Sequence, residues 1–275
     1  MKKPMFWGLH AHPPRWLKVM LASLPFIIAI SVYLVQSDRR LEANPQDKLL
    51  PDVSHMVDAV ERLAFQQDRR TGQYILWADT LSSLKRIGIG VSVATILALL
   101  VGLNMGLFAG FSSTMLSFIT FFSMIPPLAI LPILFIAFGV DELGKVMLII
   151  IGTFPIITRD IYMATRKIPR EQIVKALTLG ASQLAVVYKI VLPQIMPRLL
   201  SAVRLSLGAA WLFLIAAEAI ASTDGLGYRI FLVRRYLSME VIIPYVLWIT
   251  FLGFVIDYSL QLIIRKKYRW YQQED

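Results

Sequence analysis

Few residues in this chain have the types and spacing that covalent chemistry needs. The stretch Gly139–Val146, "GVDELGKV", carries the glycine and lysine spacing of a phosphate-cradling loop. Such a loop needs Ser or Thr after the lysine to hold magnesium, and Val146 stands there. It also needs a strand before it, whereas this stretch joins two apolar runs. Nucleotide binding is not expected here, and no hydrolysis by this chain follows from it. The histidines are His10, His12 and His55; "HAH" lies in a basic tail without a carboxylate cluster, so no metal site is expected. Neither HExxH nor GxSxG occurs. The absence of cysteine excludes disulfides, thiolate metal sites and a cysteine nucleophile. The chain reads as a non-enzyme with no catalytic residues and no cofactor of its own.

What remains are charges inside apolar sequence. Glu218 lies within an apolar run, where a carboxylate is costly without a partner. Arg204, 14 residues earlier in the same run, is too far along one helix to pair with it directly. Pairing across helices and contact with a solute are the two readings for both. Asp160 and Asp257 sit nearer the ends of their runs. Arg229, Arg234 and Arg235 follow that run, either as solvated loop charge or as an electropositive mouth that draws anions or grips a partner.

The elements that hold these charges are membrane spans. A mean hydropathy of +0.63 with 17% charged residues, the charges gathered in blocks between apolar runs, describes an all-α integral membrane protein. The runs are Val19–Val35, Ile87–Phe108, Met115–Phe138, Val146–Ile157, Leu199–Ala221 and Val241–Ile264. They predict about six transmembrane helices, the fourth short for a span. The expected layout is a cytoplasmic tail 1–18, a first span 19–35, an outer loop 36–80, a core 81–264 with an inner loop 159–198, and a cytoplasmic tail 265–275. With both termini inside, fifteen basic residues fall on inner segments and ten on outer ones, which agrees with the positive-inside rule. The net charge of +10 is read in that way and not as a nucleic-acid surface. Val19–Val35 has no small-residue cleavage site after it and reads as an uncleaved span. The outer loop, with Pro45, Pro51 and "QQDRRTGQ", reads as solvated with one helix at Val53–Phe65. Gly88, Gly90, Gly102, Gly106 and Gly110 mark the second span for close helix packing.

The inner loop has its own punctuation. Pro169 suits the first turn of a helix, and Ile173, Ala176 and Leu177 form its apolar side. Gly180 can take the left-handed conformation that ends it, and Ser182 suits an N-cap for a second short helix. Pro193 should stop or kink that helix, and Pro197 should open the next span. The result is a helix–turn–helix too narrow in its apolar face to cross a bilayer. Docking to a protein, lying on headgroups and simple connection are its three readings.

These residues resemble the motif E-A-A-x3-G-x9-I-x-L-P of permease subunits of bacterial ABC importers. Gly180 and Ile190-Val191-Leu192-Pro193 fit its second half and Ala176 its second alanine, while Val174 and Lys175 depart from it. The departure bears on the polar contact made by the motif glutamate, not on the loop. "IPPLAILPILFIAFGVDELGK", Ile125–Lys145, and "RLSLGAAWLFLIAAEAIASTDGLG", Arg204–Gly227, are similar to motifs of the nitrate, sulfonate, taurine and bicarbonate branch. The resemblance implies a type I importer-like fold in the bacterial inner membrane and a homodimeric pore for a small anionic solute. It implies an ATP-binding cassette subunit, holding ATP and magnesium, docked on Lys175, Ala176, Gly180, Ala181, Ser182, Ile190, Leu192 and Pro193. It also implies a periplasmic solute-binding protein opposite, and a pathway or its scaffold formed by Pro126, Pro127, Pro132, Arg204, Trp211 and Glu218. An autonomous channel or ion-coupled carrier is the rival, and would use facing carboxylates or histidines.

Overall fold

The computed structural model describes residues 14–44, 47–69 and 71–273. The basic tail with Lys2, Lys3, His10 and His12, together with Pro45, Arg70, Glu274 and Asp275, lies outside the described residues. Every regular element among the described residues is helical.

Helix α1, Arg15–Ala43, continues well past Val35, because "QSDRRLEA" keeps good helix formers until Asn44 turns extended. The outer loop is correspondingly shorter than 36–80. Tyr33 Oη donates to the Pro51 carbonyl (2.7 Å) and Ser37 Oγ to that of Leu50 (2.9 Å), tying the end of α1 to the next segment. Helix α2 occupies Val53–Phe65 as expected. Asp52 caps it by accepting from the Val53 N–H, and this bond with that of the Ser54 hydroxyl holds the Asp52 carboxyl below its ordinary range.

Helices α3, Ile75–Leu107, and α6, Glu142–Arg166, form the central pair of the bundle. Their seam is made by absence of side chain. A Cβ on Gly102 would lie 2.8 Å from the Thr158 carbonyl oxygen, and one on Gly106 would lie 2.3 Å from Thr165 Cβ. Gly90 meets Ile149 in the same way, whereas Gly88 and Gly110 face open space. Three of the five glycines therefore do the packing that their clustering suggested. The short run Val146–Ile157 becomes a full 25-residue helix. Thr153, Thr158 and Thr165 return their hydroxyl protons to carbonyls one turn back, and Glu142, Lys145 and Asp160 toward its ends are held in ion pairs.

The third run is not one straight span. Helix α4, Ala109–Met124, ends before Ile125, which a following proline holds extended. Pro126 and Pro127 lead into a 3-10 turn, Pro127–Ile130, and helix α5, Leu131–Phe138, leaves at 83° to α4. Among the described residues, five helices are long and apolar enough to cross a membrane, or six when the bent pair is counted as one span. The phosphate-loop look-alike is the α5–α6 connection: Gly139 turns the chain at φ +83° and α6 starts at Glu142.

The inner loop differs from expectation at its second proline boundary. Helix α7, Arg170–Thr178, is followed by α8, Gln183–Val186, and by a π-helical turn, Val187–Val191. That turn runs unbroken into α9, Leu192–Ala221. Pro193 does not stop the chain, and Pro197 lies inside a helix it was expected to open. The wider π turn just before it gives room for the ring and the missing N–H of Pro193. Helix α10, Leu226–Arg234, and the last long helix α11, Met239–Lys267, complete the bundle, ending in a turn at Arg269–Gln273.

Replacing Gly102 by Leu should force α3 and α6 apart and cost about 1–3 kcal/mol, the usual penalty of overpacking. Gly88→Ala, in open space, should leave stability unchanged. Thermal melting of the two purified variants in detergent checks the contrast, and equal midpoints would refute the seam.

Candidate functional site

Helix α6 has polar chemistry at both ends, Glu142 at one and the α7 hairpin after Arg166 at the other. Twenty-five residues at helical rise separate these by about 36 Å. Two distinct sites therefore lie at opposite faces of the bundle.

At the first end, Arg86 of α3 is buried and gathers three carboxylates. Its Nη1 donates to Glu218 Oε1 (2.7 Å) and to the Asp224 carbonyl (3.1 Å). Nε donates to Glu142 Oε2 (2.7 Å), and Nη2 to Glu142 Oε1 and Asp224 Oδ1. Glu218 is fully buried and also accepts from the Ser83 hydroxyl and from the Gly227 N–H (2.8 Å). Two turns before Arg86 on α3, buried Asp79 accepts from the Gly225 N–H (3.0 Å), Arg229 Nε (2.8 Å) and Tyr245 Oη (3.2 Å). Lys145 Nζ donates to Glu142 and Ser222 (3.1 Å), so the lysine of the false phosphate loop is already spent. The hub ties α3, α6, α9, α10 and α11 together. Gly225 is held at φ +111°, and a Cβ there would sit 2.5 Å from the Glu218 carboxyl carbon, so only glycine fits.

The cross-helix reading of Glu218 and Arg204 is the one the structure gives. Arg204 of α9 forms a bidentate pair with Asp257 of α11, through Nε (2.8 Å) and Nη2 (2.9 Å). Arg229 belongs to the hub, whereas Arg234 and Arg235 are exposed, Arg234 over the Phe231 ring. Trp211 is buried on α9, and its indole N–H finds no acceptor among the described residues. Pro126 and Pro127 make the α4–α5 bend, and Pro132 lies in the first turn of α5. These six residues do not converge: Arg204 and Glu218 alone stand about 21 Å apart along α9. Sequence reasoning missed Arg86, Asp79 and Ser83. Their spacing of i, i+4 and i+7 puts all three on one face of α3, and that was a readable signal.

At the other end, α7 closes with a Schellman pattern. The Ala181 N–H donates to the Ala176 carbonyl (3.0 Å) and the Gly180 N–H to that of Leu177 (3.0 Å), with Gly180 at φ +87°. Ser182 Oγ accepts from the Ala185 N–H (3.2 Å) as the N-cap of α8. The Lys175 carbonyl accepts from the Leu179 N–H and the Thr178 hydroxyl. Ile190 lies in the π turn, with Leu192 and Pro193 opening α9. Val174, Leu177, Leu179, Leu184 and Tyr188 stay exposed on this hairpin, Leu179 at 88%. Gln194 Nε2 donates to Gln172 Oε1 (3.1 Å), and Arg198 pairs with Asp160, fixing the hairpin to α9 and α6.

Known proteins share this sequence pattern and fold. Residues 90–269 match the family model described as binding-protein-dependent transport system inner membrane component. The chain is 30% identical to the taurine transport system permease protein of Escherichia coli over 196 residues, 71% of each chain. It is 30% identical to the bicarbonate transport system permease protein of Synechococcus elongatus over 183 residues, 66% of each. The fold is similar to that of an inward-facing MetNI methionine ABC transporter, at TM-score 0.55 and 20% identity, covering 66% of this chain and 93% of that one.

Arg86→Leu should leave Glu218 buried without its cation and cost about 3–5 kcal/mol. The double variant Arg86→Leu/Glu218→Leu should recover part of that loss, because it removes both charges. Melting midpoints of the three proteins in one detergent test this. An Arg86→Leu protein as stable as the parent would show that the hub is not a structural tie.

Proposed function

The chain belongs to the family of binding-protein-dependent inner membrane transport components, in the taurine, sulfonate and bicarbonate branch of ABC permeases, and on that premise we propose how it works. It is a multi-pass inner membrane protein. It forms the pathway for a small anionic solute and takes its drive from a separate ATPase docked on the α7–α8 hairpin. One observation carries the docking: a hairpin, capped at both inner ends, that presents five exposed side chains, Val174, Leu177, Leu179, Leu184 and Tyr188.

The partner binds ATP and magnesium, and this chain supplies the lever. Gln183–Ala221 runs continuously for 39 residues, about 58 Å, from the hairpin to the Arg86 hub. A push on the hairpin therefore reaches α3, α6 and α10 through one stiff element and one cluster of charge pairs. The excess of basic residues on the hairpin side supports placing it, and both termini, in the cytoplasm. A solute-binding protein would then meet the opposite face, where α2, α10 and the exposed Arg234 and Arg235 lie. The cations there favour an anion, and the names of the taurine and bicarbonate relatives point the same way. Exposed apolar faces on α4 and α5, with Phe121, Met124, Ile133 and Ile136, suit a second copy and surrounding lipid. An ion-coupled carrier would need a titrating carboxylate in its spans, yet Glu218, Asp160 and Asp257 are each held by an arginine.

Gly180→Val should disturb docking without crowding, since a Cβ there meets nothing within 4 Å. Its cost lies in the left-handed backbone, about 1–2 kcal/mol. Leu179→Asp should have the larger effect on the contact itself. Both proteins are expected in the membrane at parental levels, with co-purifying ATPase and ATP-dependent uptake in proteoliposomes reduced at least ~10-fold for Leu179→Asp. Undiminished coupled uptake in both variants would sink the docking assignment.

A further inference from the structure

A cavity of about 540 Å³ opens between the end of α6, the starts of α7 and α9, and the turn Arg269–Gln273. Its wall is divided. Met163, Ile168, Ile195 and Trp270 give it an apolar side, and Lys167 and Gln172 a polar one. The acid in its lining, Asp160, is already neutralised by Arg198, whose Nε donates to it at 2.8 Å. The Lys167 side chain is exposed, and its ammonium has no ion pair among the described residues. Arg159, Arg166 and Arg269 each adjoin a lining residue in the chain, and all three are exposed. The cavity is thus half greasy and half polar, with Lys167 as the cation in its lining that is not paired to Asp160.

Its depth matters as much as its lining. Asp160 lies 18 residues from the start of α6, about 27 Å along the helix, close to the thickness of a bilayer core of about 30 Å. On α11, Arg265 is the first charge after an apolar stretch and lies at the same end. Tyr268, Trp270 and Tyr271 pack edge to face beside the cavity, the residue types that sit where hydrocarbon meets headgroup. A ligand there would present an anion to Lys167 and an apolar body to Met163, Ile195 and Trp270.

We propose that this cavity is a site for an anionic phospholipid, with the phosphate held by Lys167 and the Gln172 amide and the upper acyl chains laid against the apolar wall. Free phosphate offers the same anion without the apolar half, so the lipid is the better match to the lining. Basic pockets between transmembrane helices on the cytoplasmic side select such headgroups for the same electrostatic reason. The site shares Gln172 with α7 but uses none of the exposed apolar side chains proposed for docking, so its test would stand if the Gly180 and Leu179 variants behaved as parent.

The test uses the full chain, purified with any subunit it carries and stripped of lipid in detergent. Dioleoyl phosphatidylglycerol, dioleoyl phosphatidylcholine and inorganic phosphate are titrated separately while the melting midpoint is read. Phosphatidylglycerol should raise the midpoint at the lowest concentration. Lys167→Gln should raise its half-saturating concentration about fivefold, the loss of one cation near an anionic headgroup, and Lys167→Arg should restore it. Both variants should melt with the parent when lipid is absent, because Lys167 is exposed. Equal responses to the two lipids, or a Lys167→Gln response equal to the parent's, would overturn the site. The same shift from inorganic phosphate alone would overturn the lipid in favour of a free anion.

Discussion

The buried contact between Arg86 and Glu218 is the constraint on which this bundle turns. A carboxylate with no exposed surface, inside an apolar helix, needs its charge met on site. Arg86 meets it from α3 and has donors left for Glu142 and Asp224, so one guanidinium decides where the ends of α6, α9 and α10 come together. The planar, multi-donor shape of arginine suits this, and a lysine could not serve three acceptors in the same way. Gly225 follows from the same contact, because the loop after α9 must pass within van der Waals distance of the Glu218 side chain.

The remainder of the fold keeps that hub at a fixed distance from the hairpin. The glycine seam of α3 and α6 brings two backbones together where larger side chains would hold them apart. The π turn before Pro193 preserves continuity where a proline would otherwise interrupt it. Pro126 and Pro127 do the reverse and break a run that composition alone would draw as straight. Prolines thus have opposite consequences within one chain, ending a helix at Pro126 and Pro127 and lying inside one at Pro197.

Much of the architecture was legible from the residues. Apolar runs gave the long helices, Val53–Phe65 was found at its exact bounds, and Gly180 and Ser182 cap the hairpin as their types suggest. The chain boundaries of α1 and α6 were less legible, because helix continues through polar residues once its first turns are formed, and hydropathy does not register that. The bent α4–α5 pair was hidden for the opposite reason: a break at two prolines carries no drop in hydropathy.

The candidate sites divide along the same line. The hairpin is built from contacts within a few residues, so glycine, serine and proline at fixed spacing define it in the sequence itself. The hub joins residues up to 166 positions apart, as Asp79 and Tyr245 are. From the sequence, Glu218 was recognisable as a charge in need of a partner, and Arg204 was recognisable as unable to be that partner. Which cation answered it was decided by the packing of α3 against α9, since only tertiary structure sets the distance between helices. The sequence determined the membrane class, the helices and the hairpin turn at Gly180, because those rest on local periodicity and local hydrogen bonds. The tertiary structure decided the pairing of buried charges, because an ion pair is selected by separation in space, and separation along the chain does not fix it.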